Sequence, residues 1–338
     1  MKITQLYIYP IKSLRPTPVT SAIATKTGFT YDRRFMLLKR LDDGTYQNML
    51  VSGFPEMTLF LTSIKFPSSK SAADGEVTVT FSPPEGEKKT IIVPLVPDVA
   101  ELERVDVNMH SSPTQAKNMG EKYNDWFSSC FGFPVVFVYV GEGRRPVLFA
   151  NPAKAQPATS SSWLSSLTSS ILGSNKENGP GDGKREIAFQ DCAHFLVVTE
   201  ESLESVSDRL PEGEEMDVTK FRPNIVLSGA DQAWDEDFWG EVTFGNGDGG
   251  LKIELQHNCV RCKSVNVDYQ TGKPGTGKAG EVLKLMQSDR RVDKLKKYSP
   301  VFGRYGFLTA GNGEEITLGS EVSVTKRNKE RSGFDWPL

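Results

Sequence analysis

Short runs of alternating apolar and polar residues dominate this chain, and each predicts a strand with one face turned toward a core. Ile3, Leu6 and Ile8, interleaved with Tyr7 and Tyr9, predict an initial strand closed by Pro10, with Lys12 and Ser13 in the loop beyond it. Alternation resumes at 22–25, 35–38, 57–61, 77–81 and 91–93, separated by polar, turn-rich stretches at 67–76 and 83–89. The period then changes. Met119, Tyr123, Trp126, Phe127 and Cys130 recur at helical spacing, which predicts a helix stopped by Gly132, with Cys130 in the core at its end. A strand at 135–139 follows, and a soft domain boundary falls near Gly141.

Residues 156–185 are rich in Ser, Gly, Pro, Asn and Lys, cannot build a core and read as a mobile surface loop. A strand at 195–198 leads to Thr199, which caps a helix with Glu200 and Glu201 in its first turn and a buried stripe of Leu203, Val206 and Leu210. Leu251, Ile253 and Leu255 alternate, as do Val265 and Val267, so two short strands flank a turn that carries Cys259 and Cys262. Val282, Leu285, Met286, Val292 and Leu295 predict an amphipathic segment whose outer face is basic through Arg290, Arg291, Lys294, Lys296 and Lys297. Strands at 316–318 and 322–325 precede a tail, 331–338, expected to drape on the surface. The fold class is therefore mainly β with peripheral helices: two linked β-barrel-like domains, 1–140 and 141–330.

A chain of 338 residues with 38% hydrophobic content is long enough for two cored domains. Its formal charge of -3 gives no support for nucleic-acid binding. Four cysteines without regular spacing do not form a disulfide scaffold, which points to a reducing compartment. No stretch of about 18 apolar residues is present and no signal peptide precedes the first strand, so no membrane-spanning segment is expected. The expected location is cytoplasmic.

The pair Cys259 and Cys262 admits several chemistries. A thioredoxin-like dithiol needs its first cysteine at a helix start, and no helical period follows Cys262. A structural zinc site needs about four ligands, and His110, His194, His257, Cys130 and Cys192 supply no second close pair. Two plain core cysteines remain the bland alternative. Against it stand Arg261, His257 and Asn258, since an arginine beside a thiol favours the thiolate that a soft transition metal takes as ligand. Arg222-Pro223-Asn224 is a second polar constellation, in which the fixed proline φ holds a guanidinium and an amide toward an extended, phosphorylated heterocycle.

Phe221-Arg222-Pro223-Asn224-Ile225-Val226-Leu227-Ser228-Gly229, the acidic and aromatic segment running to Trp239, and Cys259-Val260-Arg261-Cys262 leading into Val267-Asp268 and Thr271-Gly272 resemble the MOSC domain of the mitochondrial amidoxime reducing component family. Ile8-Tyr9-Pro10-Ile11-Lys12-Ser13 and Asp32-Arg33-Arg34-Phe35 are similar to the β-barrel domain that precedes it there. The resemblance implies a molybdenum cofactor (Mo-molybdopterin) at the junction of the domains. Cys262 would ligate the metal, because the family's ligand is the second cysteine of the pair. Lys12, Ser13 and Arg33 would contact the terminal phosphate of the pterin, with Asp191, Cys192, Arg222, Asn224 and Arg261 completing the cofactor site. Cys262, Arg261 and Asp191 would be catalytic. The implied activity is reduction of amidoximes, N-hydroxylamines or nitrite, with electrons from a cytochrome b5-type haem protein and its NADH-dependent reductase, partners through which the resemblance allows association with the mitochondrial surface.

Two departures from the family pattern stand out. Where relatives read Asp-Thr-Ser-Pro this chain has Asp191-Cys192-Ala193-His194, which removes hydroxyl donors and leaves the holding to backbone N–H groups or to His194. Ala230 replaces a cysteine that often follows Ser-Gly. Gly275-Thr276-Gly277-Lys278-Ala279-Gly280 matches a dinucleotide fingerprint only superficially, since no hydrophobic strand leads into the glycines and Ala279 stands where a phosphate loop needs a hydroxyl; a flexible loop beside the site is expected. Two other functions compete with the reductase: a non-redox module that carries cofactor sulfur on Cys262 or Cys259, and an interaction scaffold whose cofactor site has decayed.

Overall fold

The computed structural model describes residues 1–68, 74–149, 185–245 and 250–337. The expected mobile loop at 156–185 lies, except for Arg185, outside the described residues. The fold is β-rich with peripheral helices, and its centre is an eight-stranded mixed sheet. In spatial order its strands are Thr17–Val19, Lys2–Ile8, Ile225–Ser228, Phe195–Thr199, Val301–Ala310, Leu251–Val260, Trp239–Phe244 and Val322–Arg327. A single bridge between Lys2 and Glu321 brings the last strand back to the first strand, so the sheet is nearly closed into a barrel. Ile3, Leu6, Trp239, Ile253 and Leu255 fill its interior. The first two strands thus belong to the sheet otherwise built after residue 194.

A second closed barrel is not formed among the described residues. The N-terminal half carries a five-stranded sheet, with Arg104–Met109, Ser112–Asn118, Val135–Tyr139, Phe35–Arg40 and Tyr46–Asn48, and a separate three-stranded sheet of Phe60–Lys65, Glu76–Phe81 and Lys89–Pro94. These meet across an aromatic core rather than through hydrogen-bonded strands: Phe60 packs on Phe127 at 5.8 Å, Phe127 on Phe137 at 4.9 Å and Phe137 on Phe35 at 5.2 Å. Helix Glu121–Phe131 supplies Phe127 and ends at Gly132, whose φ of 76° completes the left-handed cap. Thr199 caps helix Glu200–Ser207 by accepting the Ser202 N–H.

Several predicted elements differ. The run at 57–61 is a 3₁₀ turn, Pro55–Leu59, followed by the strand, because Pro55 starts a helical turn more readily than it enters a ladder. Cys259 lies inside the strand Leu251–Val260, and the chain after Cys262 forms a 3₁₀ turn, Lys263–Asn266, in place of a second strand at once. Only Val282–Gln287 of the amphipathic segment is α-helical. Arg290, expected on its basic outer face, is buried: it binds both oxygens of Asp237 at 2.9 Å and stacks 3.9 Å from the Trp234 ring centre. The tail is not draped on the surface. Phe334 and Trp336 are core residues, packed with Phe149, Ile187, Cys192 and Phe307.

Candidate functional site

The turn after the first strand, the segment 189–193, the turn at Arg222 and the exit of strand Leu251–Val260 converge on two adjoining cavities, of about 100 and 310 Å³. All nine residues expected at the cofactor site line them. Arg33, Asp191, Arg222, Arg261 and Cys262 face both cavities; Lys12, Ser13 and Cys192 face the larger and Asn224 the smaller. Seven described non-glycine residues have positive φ, and four of them, Ser13, Arg33, His110 and Arg222, line this cleft. Left-handed backbone at such residues costs roughly 1–3 kcal/mol each and persists only where the surroundings impose it, so its concentration here makes the cleft the candidate site.

The cleft is knitted together from distant segments. Arg33 donates to both oxygens of Asp32 at 2.9 and 2.7 Å, to Asn224 Oδ1 at 3.1 Å and to the Arg222 carbonyl at 3.1 Å. Asp32 also accepts the Tyr9 N–H at 2.9 Å, which ties this turn to the first strand. The guanidinium carbons of Arg33 and Arg222 stand 4.2 and 4.4 Å from the Tyr9 ring centre. Gly28, at φ 102°, lets its turn lie against the site loop, where a Cβ would come 2.8 Å from Gln190 Nε2 and 2.9 Å from the His194 carbonyl.

Lys12 is buried and donates to the Phe189 carbonyl at 3.1 Å and to Asp191 Oδ1 at 2.5 Å. Burial pulls the ammonium down from its ordinary pKa, and the Asp191 charge pulls it partly back. For Asp191, removal from bulk water alone would raise the carboxyl; the Lys12 ammonium and the His110 ring outweigh it and hold the group well below the usual carboxylate range. Asp191 is therefore an anion at neutral pH.

The two cysteines occupy different environments. Cys259 is buried and its sulfur takes a hydrogen bond from Arg261 Nη1 at 2.6 Å; burial raises the thiol, and Arg261 opposes that rise. Cys262 is exposed to the cleft, with its sulfur 3.2 Å from Ser264 Oγ. Arg261 thus serves Cys259 directly, and its other arm donates to the Phe221 carbonyl at 2.6 Å. Its Nε is buried without a partner. Cys192 is buried against the tail, and burial pushes its thiol well above the ordinary value. His194 does not reach the cleft. Its Nε2 lies 3.1 Å from the Glu186 carbonyl, its ring packs on Phe307, and burial lowers it to about 4.

Four site residues escaped the sequence. Arg145 is fully buried and donates to the carbonyls of Met109 at 2.6 Å, Ser112 at 3.1 Å, Ala188 at 3.3 Å and Gln190 at 2.6 Å, so one guanidinium braces the loop that bears Asp191. His110, weighed only as a zinc ligand, approaches Asp191 from 81 positions away. Tyr305 and Ser264 complete the shared wall. No spacing signals these contacts. The glycine-rich loop 275–280 is absent from the lining of either cavity.

The donor set fits a phosphorylated metal cofactor. Arg222 and Arg261 donate to carbonyls and a thiol, with no carboxylate partner among the hydrogen bonds described, so they leave positive charge facing the cleft. Among the described residues no group of three or more His, Cys, Asp or Glu side chains could hold a metal ion, so a metal bound at the exposed Cys262 thiol takes its other ligands from elsewhere.

The MOSC N-terminal beta barrel domain matches residues 1–134 and the MOSC domain residues 184–323. Mitochondrial amidoxime-reducing component 1 of Homo sapiens is 27% identical over 330 residues, covering 95% of this chain and 82% of that protein. Its counterpart in Mus musculus is 26% identical, covering 95% and 81% respectively. Mitochondrial amidoxime reducing component 2 of Macaca fascicularis is 26% identical, covering 90% and 78%. The expected cytoplasmic location is corrected by these relatives, which are mitochondrial components by name. Among the described residues no helix is long and apolar enough to cross a membrane. With two domain matches in order and relatives aligned along nearly all of its length, the chain is a MOSC-domain protein related to the mitochondrial amidoxime-reducing component family.

Proposed function

We propose that this protein is a molybdenum-cofactor-dependent reductase of N-oxygenated compounds, namely amidoximes, N-hydroxylamines and nitrite. The observation that carries the reading is the exposed Cys262 thiol on a wall shared with Arg222, Arg261 and Asp191, beside the buried Lys12. In this reading residues 1–140 supply the phosphate-holding half and 141–330 the metal-holding half. Lys12, Ser13 and Arg33 hold the cofactor phosphate; Arg222 and Asn224 hold its heterocycle; Cys192 closes the wall behind it. Cys262 is the protein's metal ligand. The bound cofactor supplies a two-electron centre with an open position for substrate.

The chain's own residues then orient and protect. Arg261 fixes the cysteine turn by gripping Cys259 and the Phe221 carbonyl, and Asp191 presents a fixed anion held by Lys12. Electrons come from a cytochrome b5-type haem protein and its NADH-dependent reductase. The decisive experiment uses protein made in a molybdopterin-competent host, assayed for metal content and for NADH-driven reduction of benzamidoxime with both partners added. About one molybdenum per chain and partner-dependent turnover are expected. Zinc bound by two or more sulfurs, or metal-free protein from such a host, would sink the reading and favour the scaffold. Molybdenum without N-reduction but with sulfur transfer favours the carrier.

A further inference from the structure

His110 has no role in the function just described, yet the fold goes to some length to place it. Strands Arg104–Met109 and Ser112–Asn118 pair with Met109 opposite Ser112, which leaves His110 and Ser111 as a two-residue hairpin loop. Both are left-handed, at φ 55° and 62°. That is the backbone of a turn that favours Asn-Gly, and His-Ser fits it at a cost in strain. Three contacts impose the conformation. Buried Arg145 grips the carbonyls on both sides of the loop, Met109 and Ser112, and with its other bonds ties them to Ala188 and Gln190. Ser112 Oγ donates to the Pro146 carbonyl at 2.6 Å. Trp336, from the far end of the chain, donates its Nε1 proton to the His110 carbonyl at 2.8 Å.

The consequence is an imidazole held at the cleft. Its Nε2 lies 3.4 Å from Asp191 Oδ1, the same oxygen that Lys12 contacts, and the ring lines the larger cavity together with Cys262. The side chain keeps 25% of its surface accessible, enough to exchange protons with water. The charged groups around it are Asp191, the Lys12 ammonium that shares Asp191 Oδ1 with it, and Arg145, which binds the carbonyls of Met109 and Ser112 on either side of the turn. Asp335 in the tail lies 3.5 Å from His257 Nδ1.

We propose that His110 is a catalytic residue that donates the proton needed when the substrate N–O bond breaks. The inference rests on the N-reductase reading above. For an N-hydroxylamine the balance is R–NHOH + 2e⁻ + 2H⁺ → R–NH₂ + H₂O. The two electrons originate from the external haem-protein donor and reduce the N–O bond. His110 gives one proton to the departing hydroxyl, which leaves as water; the nitrogen takes the second from solvent. The neutral imidazole regains its proton from water at the cleft mouth, and the Asp191 anion holds the ring in place throughout.

The strained turn makes the test selective. Glycine and asparagine accept left-handed backbone better than histidine, so His110→Gly and His110→Asn should fold with unchanged or higher thermal midpoints. In the molybdenum-loaded protein with its partners, we expect kcat for benzamidoxime to fall by about 10²- to 10⁴-fold while KM moves by less than about threefold. Added imidazole should restore part of the rate to His110→Gly and none to wild type. The chain has three histidines, so the imidazole resonance missing in His110→Asn is identifiable. It should shift when benzamidoxime is added to the oxidised, loaded wild type. A stable, loaded His110→Gly protein with near-wild-type kcat overturns the proposal, as does saturable benzamidoxime binding that leaves this resonance unmoved. A loaded wild type that never reduces benzamidoxime overturns the underlying reading instead, a result distinct from a working wild type whose variant works equally well.

Discussion

Cys259 and Cys262 share one motif and differ in every physical respect that decides chemistry. Cys259 is buried and bonded to Arg261, whereas Cys262 is exposed. Cys259→Ala should lower stability by about 1–3 kcal/mol, because a buried guanidinium arm loses its acceptor. Cys262→Ala should leave the denaturation midpoint unchanged and abolish both turnover and the protein-sulfur signal in X-ray absorption. Equal loss of turnover from both, with fold and metal intact, would contradict this division. Glu236 gives a second prediction at this scale. It is fully buried, its Oε2 accepts from Thr199 at 3.2 Å and Ser202 at 2.8 Å, and Oε1 has no partner. Burial, helped by the Asp237 charge, raises it to about 7. The folded state therefore binds the proton more tightly than the unfolded chain, so this contribution is complete below the unfolded pKa of about 4.5 and is lost as pH rises through about 7. Glu236→Gln should remove that decline and raise stability at pH 8 by about 2 kcal/mol, read by urea unfolding across pH.

At the scale of elements, the tail carries a consequence that its polar composition conceals. Asn258 Nδ2 donates to the Ser332 carbonyl at 2.6 Å, Phe334 N–H donates to Asp293 at 2.9 Å, and Phe334 lines the larger cavity. Trp336 is 1% exposed and seals the core behind Cys192. Trp336→Ala should destabilise the protein by about 3–5 kcal/mol and free the His110 carbonyl, so limited proteolysis should cut near the hairpin sooner than in wild type. Unchanged urea unfolding would mean the tail is dispensable to the core. Helix Glu121–Phe131, its glycine cap and strand Val135–Tyr139 were legible because period and punctuation agree. The hairpin of Arg104–Met109 was missed although Val105, Val107 and Met109 alternate, since charged partners mask a one-sided strand. Pro55 likewise turned an apparent strand start into a helical turn.

For the whole molecule, Arg33 is the clearest joint between its halves, bonded to Asp32 on one side and to Asn224 and the Arg222 carbonyl on the other. Arg33→Ala should lower cofactor occupancy and also destabilise cofactor-free protein by about 3–5 kcal/mol, because Asp32 would remain a buried, unpaired carboxylate. Normal occupancy in that variant would remove the N-terminal half from the cofactor site. Docking of the proposed electron donor belongs to this scale as well. Arg290 cannot contribute, being locked on Asp237, but Arg291 and Lys297 are exposed. Charge reversal at these two should slow electron transfer at low salt and lose its effect as the screening length shrinks from about 10 Å at 0.1 M; a rate indifferent to both would leave catalysis standing without this face. The sequence by itself determined the β-rich class, the helix and its cap, and the residue types of the cleft, because periodicity, turn chemistry and short motifs are local properties. Only the tertiary structure decided which cysteine is exposed, that Arg261 serves Cys259, that Arg290 and Trp336 are core, and that His110 meets Asp191. The Arg261–Cys259 bond spans only two positions, but which way its partners face is set by the burial of their strand; the others are contacts between segments tens to hundreds of positions apart, fixed by burial and strand register, for which no spacing along the chain leaves a trace.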